Sequence, residues 1–161
     1  HGGSIRAYAA RKGKYKVKDT AAKQLDKEKN VVLSKASLLE FKKKVVLSKL
    51  ELYSMLLGIK QKGKRIYGIG APSRASTLIN YVGIDDGIMD YVVEIKGSHK
   101  IGKYMPGTLI PVVDESKLYE NQPEYALLLS WHIADELASK IREKGFKGKF
   151  IVPLPKPRIL D

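Results

Sequence analysis

Cysteine is missing altogether from the 161 residues. That excludes disulfides, cysteine-ligated zinc or iron–sulfur sites, and thiol catalysis within this chain. Long apolar runs are missing too: no stretch of about 18 uninterrupted apolar residues occurs, so no segment is expected to span a membrane. The first residues also lack the apolar core of a secretory signal, and a reducing, cytoplasmic setting is the expected one. Acidic residues are the scarcer charge, 17 against 30 Lys and Arg, which leaves the chain at +13. The excess is local. His1 to Arg65 holds 18 basic and 5 acidic residues, whereas Ile66 to Asp161 balances at 12 and 12. Any attraction for polyanions therefore belongs to the first part, and the remainder is a neutral body.

A hydrophobic content of 43% is enough for one domain with a core and too little for two large ones. The expected organisation is a basic extended segment and linker over residues 1–36, followed over 37–161 by a long helix and an α/β domain. Ile5, Ala7 and Ala9 alternate with Arg6, Tyr8 and Ala10, a short extended signature. Asp19 to Asn30 is polar and lysine-rich, as a solvated helix or linker would be. From Ser37 onward Leu38, Phe41, Val45, Leu52, Leu56 and Ile59 fall near a helical repeat, with Lys42, Lys43, Lys44, Lys49 and Lys60 opposite. Gly63 is placed to end that helix.

After Lys64 the pattern changes. Arg65 to Gly70 reads as a buried strand entering a glycine turn, Ser73 to Tyr81 as a helix, and Tyr91–Glu94, Thr108–Val113, Tyr125–Leu129 and Phe150–Val152 as strands; Ile133–Lys144 is helical. Strands alternating with helices predict an open, mainly parallel sheet covered on both faces, a Rossmann-like α/β domain.

In such sheets ligands lie beyond the carboxyl ends of the strands. The loop Gly68, Ile69, Gly70, Ala71, Pro72, Ser73, Arg74, Ala75, Ser76, Thr77 is expected there. Its glycines permit close approach of a phosphate, the helix start offers amides, Ser73, Ser76 and Thr77 add hydroxyls, and Arg74 adds charge suited to a diphosphate. A plain tight turn with a capped helix fits the same residues. A second loop, Lys96 to Thr108, is long, basic and rich in glycine, and either folds over a ligand or is simply solvated. Trp131 and His132 follow the apolar strand Tyr125–Leu129, where an indole either stacks on a base or packs in the core. The terminal His1-Gly2-Gly3-Ser4 matches the remnant of an affinity tag; as a native segment it offers an imidazole suited to proton transfer near neutrality.

The run His1-Gly2-Gly3-Ser4-Ile5-Arg6-Ala7-Tyr8 resembles the segment joining the two main domains in the sugar-nucleotide C-methyltransferase family. The likeness continues through Ile66–Ile84, Lys96, Gly102–Val112, Leu129–His132 and Phe150–Pro155, in order and across almost the whole chain. The resemblance implies the C-terminal part of an S-adenosylmethionine-dependent enzyme that methylates a carbon next to a keto group on a nucleoside-diphosphate sugar. It implies that S-adenosylmethionine and zinc are bound by parts of the protein outside this chain, that residues 1–36 are the segment and linker leading in from the methyltransferase domain, that this domain of the same protein is the chain's partner, and that this chain alone is inactive. It further implies His1 as the base near the reacting carbon. For substrate binding it implies Gly68, Gly70, Ala71, Pro72, Ser73, Arg74, Ser76, Thr77, Asn80, Lys96, Pro106, Gly107, Thr108, Trp131 and His132, and no metal site. Many relatives have Lys-Gly-Asn where this sequence has Arg74-Ala75-Ser76, which keeps the charge and changes the amide.

Other readings compete. The basic first part could grip nucleic acid, a mode that is steeply salt dependent, but its lysines lie on the solvent side of an amphipathic helix and no aromatics interleave for base stacking. An NAD-binding domain is suggested by the glycine turn, yet the third glycine of G-x-G-x-x-G is missing and Glu94 is the nearest candidate for the ribose-binding acid. The helix from Ser37 to Lys62 could also serve as an interaction face toward the methyltransferase domain or a second copy.

Overall fold

The computed structural model describes residues 4–32 and 34–161. Its contacts divide the chain into two units, ending and beginning at Leu47 and Ser48. In the first unit, Ser4 to Lys18 carries no helix or strand, and helix α1 spans Asp19–Val32. Helix α2, Lys35–Gln61, begins in the first unit and finishes in the second. No described side chain between Ser4 and Leu47 is buried. The expected apolar stripe is therefore unevenly used: Leu38 and Phe41 remain 52% and 66% exposed, while Leu52, Leu56 and Ile59 are buried. Those three lie at i, i+4 and i+7, one face of a helix, and each contributes about 1.5–3 kcal/mol by leaving water.

The second unit is a six-stranded sheet with helices on both faces. Its elements are β1 Ile66–Ile69, α3 Ser73–Val82, β2 Tyr91–Glu94, β3 Val112–Asp114, α4 Ser116–Asn121, β4 Tyr125–Leu128, α5 Ala134–Glu143, β5 Lys149–Val152 and β6 Arg158–Leu160. The strand order is β3-β2-β1-β4-β5-β6. Neighbours from β3 through β5 are parallel, and β6 alone runs antiparallel, against β5. The mainly parallel α/β expectation is met.

Period-two alternation builds the two cores. Ile66, Val92, Leu127 and Ile151 face one side with Leu52, Leu56 and Ile59 of α2 and with Ala75, Leu78, Ile79 and Val82 of α3. Tyr67, Ile69, Val93, Ala126, Leu128 and Phe150 face the other, against Leu118 of α4 and Ala134, Ala138 and Ile141 of α5. Acidic side chains pin the amino ends of the strands. Asp90 accepts the Ile66 N–H at 3.2 Å, and Glu124 accepts the Arg65 N–H at 3.1 Å. The opposite, carboxyl edge is left to loops.

Three features depart from the expected elements. Thr108–Val113 shortens to β3 at Val112–Asp114, because Met105 to Thr108 forms a turn closed by the Thr108 N–H on the Met105 carbonyl, 3.0 Å. Helix α4 and strand β6 are additional. No described helix is long and apolar enough to cross a membrane.

Candidate functional site

The chain leaves β1, moves outward through β2 and β3, then returns by way of α4 to β4 on the other side of β1. Strand order reverses between β1 and β4, and the crevice at their carboxyl ends is where an open α/β sheet receives ligands. Two segments meet there. One is Gly70-Ala71-Pro72 leading into α3; the other is Ser130 followed by a 3-10 turn, Trp131–Ile133.

Gly70 has φ +79°, a conformation that costs a side-chain-bearing residue about 1–2 kcal/mol, and a Cβ there would stand 3.4 Å from Ser130 Oγ. Its N–H donates to the Val93 carbonyl at 2.9 Å. The next amide, Ala71, donates to Glu94 Oε2 at 3.0 Å. Pro72 has no N–H and caps α3 with an extended backbone. The amides of Ser73 and Arg74 are thus the first open donors at this edge, as at any helix start.

Arg74 and Trp131 come together across the crevice. The guanidinium carbon lies 6.0 Å from the indole centroid, at the outer reach of a cation–π contact. Trp131 is half-buried and packs against both cores. His132 is half-buried beside it. Partial burial first, and then the Arg74 charge, hold its imidazole below the ordinary histidine value, which leaves it neutral at pH 7.

Glu94 ends β2, where dinucleotide-binding sheets place an acid on the ribose. Here the carboxylate is only 14% exposed and turned inward: it holds the Ala71 N–H and pairs with Lys100 Nζ at 3.6 Å. It is spent on the loop and offers no free oxygen pair to a ribose.

The remaining expected residues sort by position. Ser76 and Thr77 lie one turn into α3, and Lys96 is exposed just past β2. Gly68 sits inside β1, where an added Cβ would come within 2.8–2.9 Å of Met89 Sδ, Val92 and Leu129; it serves packing. Asn80 is seven residues along α3 from Ser73, about 10 Å at the helical rise. Its Nδ2 donates to the carbonyls of Ser76 and Pro106 at 2.7 and 2.8 Å, and Gly107 lies directly against it. Thr108 Oγ1 donates to the Met105 carbonyl at 3.0 Å and accepts the Ile110 N–H. Asn80, Pro106, Gly107 and Thr108 therefore form a brace beside the carboxyl half of α3, separate from the crevice. His1, with Gly2 and Gly3, lies outside the described residues. Among the described residues no cluster of histidine and carboxylates could hold a metal ion.

Lys100, Ser130 and the inward role of Glu94 were not singled out from the sequence. A strand-end acid was visible in the pattern, but nothing local announces that a lysine six residues later returns to it.

Comparison with known proteins gives two findings. The family model for the C-methyltransferase C-terminal domain matches residues 1–155. The C-methyltransferase NovU of Streptomyces niveus is 30% identical over 166 aligned residues, covering 100% of this chain and 39% of the relative. The chain thus spans well under half the length of the curated relative it matches.

Proposed function

The chain belongs to the C-methyltransferase C-terminal domain family, and from that premise we propose that it is the substrate-holding part of a larger methyltransferase that acts on a nucleoside-diphosphate sugar. The observation that carries this reading is the Arg74–Trp131 pair across the switch point of the sheet. The guanidinium and the Ser73 and Arg74 amides suit a diphosphate, and the half-buried indole suits a base. Gly70, Ala71, Pro72, Ser73, Arg74, Ser76, Thr77, Trp131 and His132 are the proposed contacts, with Lys96 at the rim. Asn80, Pro106, Gly107 and Thr108 support them at a distance by bracing α3.

On this reading His1 removes the proton from the carbon next to the keto group, a task matched to an imidazole near neutrality. The methyl donor, S-adenosylmethionine, belongs to the remainder of the enzyme. The residues described here do not fit it, since the acid at the end of β2 is turned into the fold. Zinc likewise belongs elsewhere.

Titration of the chain by NMR with thymidine diphosphate, other nucleoside diphosphates, NADH and S-adenosylmethionine tests this. Shifts at Gly70 to Thr77 and Trp131 with a nucleoside diphosphate, and none with S-adenosylmethionine, are expected. Saturable binding of NADH in preference would move the assignment to a dinucleotide-binding domain. In the intact enzyme, replacing His1 should suppress turnover while leaving sugar-nucleotide affinity nearly unchanged; undiminished turnover would remove it from the mechanism.

A further inference from the structure

The turn after β1 is held from both sides by one ion pair. Glu94 Oε2 accepts the Ala71 N–H at 3.0 Å, and Lys100 Nζ donates to the Ala71 carbonyl at 2.7 Å. The two charged groups are 3.6 Å apart, so carboxylate, ammonium and one backbone residue form a closed triangle. Both polar groups of Ala71 are consumed by it. Glu94 comes from the end of β2 and Lys100 from the β2–β3 connection, so three separate segments are tied at one point. Glu94 Oε1 also accepts the Ile95 N–H at 3.2 Å, which fixes the carboxylate on its own strand end.

Ala71 stands at the entry to the site. Two residues further on, α3 begins with the open amides of Ser73 and Arg74, and Arg74 reaches Trp131. A small rotation at Ala71 would swing those amides off the crevice. α3 has no side-chain cap, so its start is held by the burial of Ala71 and Ala75, by the Gly70 N–H on the Val93 carbonyl and by the two charged groups on Ala71. A charge-assisted hydrogen bond to a mostly buried carboxylate is stronger than a neutral one.

We propose that Glu94 and Lys100 are positioning residues that clamp Ala71 and so hold the α3 amides and Arg74 in the arrangement that receives a nucleoside diphosphate. The inference rests on the substrate reading above and adds to it two residues that need not touch the ligand. The role of the pair is orientation: a carboxylate this close to a bound diphosphate would repel it if its charge were not offset by Lys100 and the Ala71 amide.

The test uses the full chain with thymidine diphosphate as the probe, followed by calorimetric titration, with amide exchange at Ala71 and the thermal midpoint as companions. Glu94→Ala should weaken binding about ten-fold, the loss of one charge-assisted bond, and should speed Ala71 exchange. Glu94→Gln keeps an acceptor for the Ala71 N–H and should recover most of the affinity. Lys100→Met leaves Glu94 without its counter-charge, so it should lower the thermal midpoint modestly, weaken binding several-fold in the chain that remains folded, and be non-additive with Glu94→Ala. Equal binding by the unsubstituted chain, Glu94→Ala and Lys100→Met would overturn the clamp. Failure of the substrate reading looks different: the unsubstituted chain then ignores thymidine diphosphate. In that event the Ala71 amide decides, with protection lost in Glu94→Ala supporting the clamp and equally fast exchange in both chains overturning it.

Discussion

His132 shows how a single side chain takes its chemistry from its surroundings. Its pKa is depressed in the fold, by partial burial ahead of the Arg74 charge, so the neutral ring is the one the fold favours. The sign follows from linkage: a depressed value means that stability is fully present above the unfolded value of about 6.5 and is lost as pH falls through the folded value. An NMR titration of the ring protons should give a midpoint below 6.5. Replacing Arg74 with Gln should raise that midpoint only part of the way, because burial is the larger cause. A full return would assign the whole effect to charge, and a midpoint above 6.5 in the unsubstituted chain would mean that a carboxylate or bound anion faces the ring. The same residue marks a limit of sequence reading. His132 was visible as the end of an apolar strand, but its environment depends on Arg74, fifty-eight positions away.

At the scale of elements, the connection between β2 and β3 and the helix α3 hold each other. Asn80 is exposed, yet it bonds α3 to itself at Ser76 and to the neighbouring loop at Pro106. Asn80→Ala should therefore cost about 1–3 kcal/mol, two hydrogen bonds with partial replacement by water, measured by denaturant unfolding. Affinity for a nucleoside diphosphate should change less than two-fold, since the brace sits about two helical turns from the α3 amides. A large loss of affinity at unchanged stability would move Asn80 into the binding site. The strands β1, β2, β4 and β5 were legible because each is a compact apolar run bounded by glycine, proline or charge. The expected strand Thr108–Val113 was legible only at its end: Thr108 to Ile110 has the composition of a strand, but Thr108 uses its hydroxyl and amide to close a turn. Helix α4 has six residues and one buried side chain, Leu118, too short for a periodic signal, and β6 follows a proline-rich stretch and is placed by pairing with β5 and by Leu160 packing on the core.

For the whole molecule, the decisive contrast lies along α2, where one amphipathic pattern serves two different fates. Leu52, Leu56 and Ile59 are in the core, while Leu38 and Phe41, which fit the same repeat, are exposed. Periodicity reveals which face of a helix is apolar and says nothing about whether anything covers it. The charge follows the same division: residues 1–47 hold 13 basic against 4 acidic side chains, and none of the described ones is buried. Stability should then reside in Ser48–Asp161. Leu56→Ala should cost about 2–5 kcal/mol as a core truncation, whereas Phe41→Ala should stay within about 0.5 kcal/mol. Deleting residues 1–47 should leave the thermal midpoint of the α/β body within a few degrees, read by circular dichroism at a strand-sensitive wavelength, with only the first turn of the shortened α2 frayed. A collapse of the midpoint on deletion, or a Phe41→Ala cost matching that of Leu56→Ala, would mean that the basic helices are part of the body's own core. An unchanged midpoint would leave the apolar residues of the first 47 positions as a surface whose burial depends on something other than this sheet.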